Sequence, residues 1–208
     1  FFRGPDGRNH LAGSVEVTSY GRDGAAISRL AAGEIVYEPG SQRFTVRGGV
    51  RVEAGDVVLE GEAFDYDKAS GLFGTTGGGR FSSPTLSGRA PEIFYREGEE
   101  DVRLGGGFRV ELAEKAGTGR APVLSGDSLV FERRGHRGRV AGRAGIEGHG
   151  FRGSSGAAAF IVSEDGSSLE SAVFEGAAKV VLAGDGPEGQ GPGEVGADRI
   201  VNAVAAAT

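Results

Sequence analysis

Val102-Arg103-Leu104-Gly105-Gly106-Gly107-Phe108-Arg109-Val110-Glu111-Leu112 alternates apolar and charged side chains on either side of a glycine run. Val102, Leu104, Phe108, Val110 and Leu112 share one parity with Gly106. Arg103, Arg109 and Glu111 share the other with Gly105 and Gly107. A period of two is the mark of a half-buried β-strand, because successive side chains point to opposite faces. Three glycines at this point mark a turn or bend between two such strands.

Moving outward, the same pattern recurs. Tyr37, Tyr66 and Tyr95 are separated by 29 residues each. Two residues before each tyrosine stands a large apolar residue: Ile35, Phe64 and Ile93. Twelve residues after each comes a glycine-led segment: Gly49-Val50-Arg51-Val52, Gly78-Gly79-Arg80-Phe81 and Gly107-Phe108-Arg109-Val110. The period then slips. Phe131 follows Tyr95 by 36 residues, and Phe160 follows Phe131 by 29 again. The seven extra residues fall in the polar stretch from Glu114 to Pro122, which reads as a longer loop. Leu129 keeps the apolar position before Phe131. Val140, Ala144 and Ile146 alternate with Arg139, Arg143 and Glu147, and Phe174, Ala178, Val180 and Leu182 alternate with Glu175 and Lys179. Turn signals separate the strands at Glu38-Pro39-Gly40-Ser41, Asp67-Lys68-Ala69-Ser70-Gly71, Arg96-Glu97-Gly98-Glu99 and Glu164-Asp165-Gly166-Ser167. Each unit reads as two strands and a reversal. One unit alone cannot bury its apolar face, but stacked units share a continuous interior.

The 208 residues include 40 glycines, which disfavours long helices and suits short strands and tight turns. The glycines lack a three-residue period, so collagen is excluded. A net charge of −6, from 23 basic and 29 acidic residues, argues against nucleic acid as a partner. There is no cysteine, hence no disulfide and no thiolate metal site. No run of about 18 apolar residues is present to form a membrane-spanning helix. Methionine is also absent, so residue 1 reads as the product of processing, with Phe1-Phe2 the stub of a removed signal or anchor.

Burying each large side chain contributes on the order of 2 kcal/mol. Small inward residues lower that sum, and an interior of spaced Phe and Val among glycines is expected to leave room for an elongated apolar ligand. The competing reading assigns the glycines to turns and strand bends.

Catalytic and metal chemistry find little support. His10, His136 and His149 sit in polar, glycine-flanked settings and read as surface residues, with no zinc-ligand spacing. Nucleophile elbows, phosphate-binding loops and paired zinc-protease histidines are absent. Gly77-Gly78-Gly79 and Gly105-Gly106-Gly107 precede strands rather than helices, so they read as structural. Asp65-Tyr66-Asp67 begins like a calcium loop, but Ser70 and Thr76 occupy the positions where glycine and glutamate are needed. The acidic run Glu97, Glu99, Glu100 and Asp101 reads as a solvated turn. Arg51, Arg80 and Arg109 recur in one register and form a stripe on the outer face, suited to solubility and edge protection or to lipid phosphates. No catalytic residue, metal or cofactor is expected, and the chain is not read as an enzyme.

Leu59-Glu60-Gly61-Glu62-Ala63-Phe64-Asp65-Tyr66-Asp67-Lys68-Ala69-Ser70-Gly71 resembles the strand pair of the LptC/LptA (OstA-like) family of lipopolysaccharide export proteins. Val50-Arg51-Val52-Glu53 and Phe108-Arg109-Val110-Glu111 are similar to the strands that follow in that family. The resemblance covers roughly residues 30 to 182 and implies an all-β, open twisted β-jellyroll holding lipid A acyl chains. It implies a lipid-binding interior of Ile35, Val50, Val52, Leu59, Phe64, Phe81, Ile93, Val102, Leu104, Phe108, Val110, Leu129, Val140, Ile146, Phe174 and Val180. The implied partners are lipopolysaccharide and other bridge subunits or the inner-membrane export transporter, met through edge-strand pairing. The implied location is the periplasm, with room for an inner-membrane anchor outside this chain. Phe1-Phe2-Arg3 and Gly24 to Leu30 are similar to the region after the anchor in the anchored branch, whereas the length and glycine content leave the bridging branch and a fusion open. The expected organisation is a lead-in over 1–29, repeats over 30–113 and 123–182, and a Gly/Pro-rich linker with a partial repeat over 183–208. A ligand-free β-solenoid scaffold stands as the alternative. A carbohydrate-acting β-helix enzyme is disfavoured by the lack of tryptophan and the four tyrosines.

Overall fold

A computed structural model describes residues 2–75, 77–96, 101–113, 121–148, 150–166, 168–182 and 193–203. All regular structure among them is β. Long strands stand at both ends of the array. The first group is β2 (Asn9–Tyr20), β3 (Ala26–Glu38), β4 (Arg43–Ala54) and β5 (Val57–Asp67), preceded by the short β1 (Phe2–Arg3). The middle holds short strands: β6 (Leu72–Thr75), β7 (Gly79–Ser82), β8 (Leu86–Ala90), β9 (Glu92–Arg96), β10 (Asp101–Gly105), β11 (Phe108–Leu112), β12 (Val123–Gly126) and β13 (Ser128–Glu132). The last group is β14 (Arg137–Gly148), β15 (Phe151–Val162), β16 (Leu169–Leu182) and β17 (Gly193–Ala203).

Every pairing is antiparallel, and the chain forms an open β-jellyroll of two layers. In the first layer β5 pairs through its end with β6, and the series continues β9, β10, β13 and the start of β14. In the second layer β5 pairs through its start with β7, and the series continues β8, β11, β12 and the end of β14. Each long strand crosses both layers. The crossings coincide with register shifts, for instance Arg47/Val50 in β4 and Ala141/Ala144 in β14.

These crossings explain the repeated glycine. Gly49, Gly78 and Gly107, each twelve residues after a repeat tyrosine, have φ of 70°, 82° and 89°. An L side chain rarely adopts such angles, so glycine is the residue that turns the corner between layers. Arg143 stands twelve residues after Phe131 and turns the corresponding corner with φ 49°.

The period itself is the length of a round trip through both layers. Tyr37, Phe44, Tyr66, Phe73 and Tyr95 lie directly opposite one another on successive strands, and Val102, Phe131, Gly138 and Phe160 continue the same row. Neighbouring rings stack within it, with centroids 4.5 Å apart for Tyr37–Phe44 and 4.1 Å for Tyr66–Phe73. The extra seven residues do not disturb the row, because they fall in the connection from β11 to β12. The sheet is therefore continuous across the boundary drawn at 113/123: β11 pairs with β12 and β10 with β13. Residues 9–20 of the expected lead-in form a full strand against β3, and 193–203 form one against β16. The Gly/Pro-rich segment 183–192 lies outside the described residues.

Candidate functional site: an apolar interior with open ends

The two layers enclose one apolar cluster running from Ala32 to Val180. Every residue of the expected lipid-binding set belongs to it and is buried, from Ile35 to Val180. Two rows organise these side chains. In the first layer Ile35, Val46 and Phe64 lead to Ile93, Leu104, Leu129 and Val140 through strand-by-strand registers. In the second, Leu30, Val52, Leu59 and Phe81 lead through Gly88 to Val110, Leu124 and Ile146.

The expectation of a thinly filled interior fails along β14, β15 and β16. Inward glycines there leave no room, because aromatic rings lie over them. A Cβ built on Gly138 would fall on the ring of Phe160, one on Gly153 on Phe174, and one on Gly148 on Phe151. Phe64, Phe81, Phe131, Phe160 and Phe174 are all essentially inaccessible. Glycine here is a notch that a cross-strand ring fills, which restores close packing at the cost of side-chain variety.

At both ends the interior does open. Val17 is on the inward face of β2 opposite Leu30, and it is 43% exposed. Val195 is on the inward face of β17 opposite Val180, and it is 52% exposed. Leu11, Val15, Leu30 and Ile200 are partly buried beside them. The same ends carry the sheet edges. Among the described residues β1 covers β2 at Phe2↔His10 and Arg3↔Asn9 alone, and β17 pairs on one side only, with β16. Sequence reasoning missed these end residues, since Val17 and Val195 lie in segments read as lead-in and partial repeat.

Three concavities of about 550 Å³ each lie on the outer faces. One has Val130, Ala159, Ile161 and Val173 at its floor on the first layer. A second on that layer lies among Arg43, Arg47, Glu38 and Asp67. Two ion pairs lie within it: Arg8 with Glu38 at 3.1 Å and Arg43 with Asp67 at 3.5 Å. A hydrogen bond from the Ser41 hydroxyl, then Arg8, hold the Glu38 carboxyl below its ordinary range. The Ser70 backbone N–H does the same for Asp67. Asp67 thus serves its turn, and Asp65 accepts a bond from Thr45 at 2.9 Å.

A third concavity, on the second layer, gathers the expected arginine stripe. Arg51, Arg80 and Arg109 share one outer row, joined by Arg89, which lies off the 29-residue register and was not singled out from the sequence. Two histidines depart from the surface reading. His10 is largely buried, stacked on Phe2 at 4.8 Å between Asp6 and Glu34. His136 is partly buried with φ 48°, where it turns the β13–β14 connection. His149, Glu97, Glu99, Glu100 and Thr76 lie outside the described residues. Among the described residues no group of three or more His, Cys, Asp or Glu is placed to hold a metal ion.

No family model matches the sequence, and no curated protein matches it. Among solved structures the chain is similar to LptH, the LptA homologous periplasmic component of the conserved lipopolysaccharide transport device from Pseudomonas aeruginosa. The identity is 18% and the TM-score 0.43, over 50% of this chain and 75% of that one.

Proposed function

We propose that this protein is a periplasmic component of lipopolysaccharide transport that binds acyl chains at the open ends of its apolar interior and hands them on without chemistry. The observation that carries this reading is the coincidence of two features at each end. An inward apolar face is exposed at Val17 and at Val195, and a strand edge unpaired among the described residues lies directly beside it. An open edge is a template for another strand, and a partner added there would prolong the apolar interior rather than cap it. Other bridge subunits, or the inner-membrane export transporter, are the partners this arrangement suits. The buried set from Ile35 to Val180 then forms the wall along which a chain would pass by parting the layers. A ligand-free scaffold is the second reading, and the ring-filled centre at Phe131, Phe160 and Phe174 favours it.

Photo-crosslinking residues at Val17, Val195 and Phe108, with Arg152 as an outward control, separate the two. Lipid adducts at Val17 and Val195 but not at Arg152 support transport. Adducts at Arg152 with none at the three interior positions sink it and leave the scaffold. Lipid that also crosslinks at Phe108 would show that the centre opens.

A further inference from the structure

The outer face of the second layer holds an arrangement that the interior reading does not use. Arg80 on β7, Arg89 on β8 and Arg109 on β11 are directly opposite one another: Arg80 pairs in register with Arg89, and Arg89 with Arg109. Cα atoms so placed are about 4.5–5.5 Å apart, and like charges in that position repel. Elsewhere the chain usually answers a cross-strand arginine with a carboxylate. Arg137 meets Glu132, Arg152 meets Glu147 and Arg199 meets Glu175. Glu60 stands opposite Arg80 on its other side, but its carboxylate is bonded to Arg51, the residue beyond it in the row, which also bonds Glu53. Among the described residues none of the central three forms an ion pair.

All three side chains are exposed, and they line a concavity of about 550 Å³ with Ser82 and Ser87. Its rim is acidic, at Glu60 and Glu111. The guanidinium fork matches phosphate oxygens in a bidentate manner, so three forks across two strand spacings suit more than one phosphate group. The acidic rim decides the size of the partner. It disfavours a broad anionic surface such as a membrane and admits a compact anion seated in the middle. We propose that Arg80, Arg89 and Arg109 form a binding site for a compact, soluble ligand carrying two or more phosphate groups. This site is independent of the interior and stands whether or not the interior takes lipid.

Titration calorimetry at low ionic strength tests it, with glucose 1,6-bisphosphate as the probe and glucose 6-phosphate and sulfate as comparators. The bisphosphate binds in preference to both comparators. Arg89→Gln weakens it by about tenfold or more, since a charge-assisted bidentate contact is removed. Arg89→Lys, which keeps the charge and loses the fork, falls between, and Arg152→Gln binds as the parent does. Thermal melts without ligand guard against a folding artefact: Arg89→Gln melts at or above the parent temperature, because repulsion is relieved. The proposal is overturned if sulfate binds as well as the bisphosphate, or if Arg89→Gln binds unchanged. It is equally overturned if phosphatidylglycerol vesicles bind in an Arg89-dependent way while the bisphosphate does not.

Discussion

Gly138 and Phe160 provide the sharpest test of how the interior is filled. They lie opposite each other on β14 and β15, and the Phe160 ring occupies the space a Cβ on Gly138 would take. Phe160 is 2% exposed and stacks on Phe131 with centroids 6.0 Å apart and planes 7° from parallel. Phe160→Ala therefore removes a packed ring and an aromatic pair, at a cost of about 3–5 kcal/mol. Gly138→Ala forces the ring aside, at about 1–3 kcal/mol, partly offset by about 0.4–1 kcal/mol from a stiffer unfolded chain. Gly138 has no positive φ, so backbone strain does not enter.

The double variant places the new methyl in the hole the ring has left. Its strain disappears, and it fills part of the cavity. The pair should then cost less than Phe160→Ala alone, with a coupling of about 1–3 kcal/mol in favour of the double variant. Urea unfolding of the four proteins measures this, with m unchanged if the native and unfolded states keep their compactness. Effects that add to within about 0.5 kcal/mol would refute the notch-and-ring account. A neutral or stabilising Gly138→Ala would point instead to spare volume of the kind an interior ligand needs.

Three further outcomes are expected. Ala177→Gly should stabilise the chain by about 0.5–1 kcal/mol in denaturant unfolding, because Ala177 follows the Gly176 corner at φ 50°, which glycine adopts without strain. Ser41→Ala removes the main cause of the lowered Glu38 pKa. A depressed carboxylate pKa contributes stability above the ordinary carboxylate range and loses it as pH falls through and below that range. Urea midpoints of the variant and the parent should thus differ at neutral pH and converge in acid, whereas a constant offset would assign the effect elsewhere. Val195→Lys places an inward charge on the β17 edge and should abolish edge-to-edge association of concentrated protein in light scattering, with little change in stability. Unchanged association would remove the β17 edge from the interface.

The layered β architecture was legible because two signals agree. Alternation in segments such as Val102–Leu112 gives the inward face, and the recurrence of Tyr37, Tyr66 and Tyr95 gives the length of a round trip. A row of aligned rings satisfies both, and Tyr37↔Phe44↔Tyr66↔Phe73↔Tyr95 is that row. The end strands were harder to see for a physical reason. An edge strand buries little, so β17 retains a sparse apolar pattern (Val195, Ala197, Ile200) among Gly, Asp and Arg. Arg89 is not legible as part of the stripe because its position, 29 residues after Glu60, carries the opposite charge in the preceding copy, and only the pairing register sets it beside Arg80 and Arg109.

What alternation cannot supply is the identity of the residue across the strand. It places Gly138 on the inward face and says nothing of Phe160, 22 residues later in the chain. Composition alone therefore turns inward glycines into empty volume, while the pairing register turns the same glycines into seats for rings. The difference bears directly on function. Rings fill the space over Gly138, Gly148 and Gly153, so on the function proposed above an apolar chain would enter where inward side chains already meet solvent. Those places are Val17 and Val195, each beside an open strand edge. On that proposal, docking of a partner strand and entry of a ligand would be coupled, because a strand added to β17 or β2 would extend the interior beside the same apolar side chains that a lipid would reach first. A bridge of this kind would receive its cargo across the junction between subunits, and the centre of each subunit would open only as the chain moves through it.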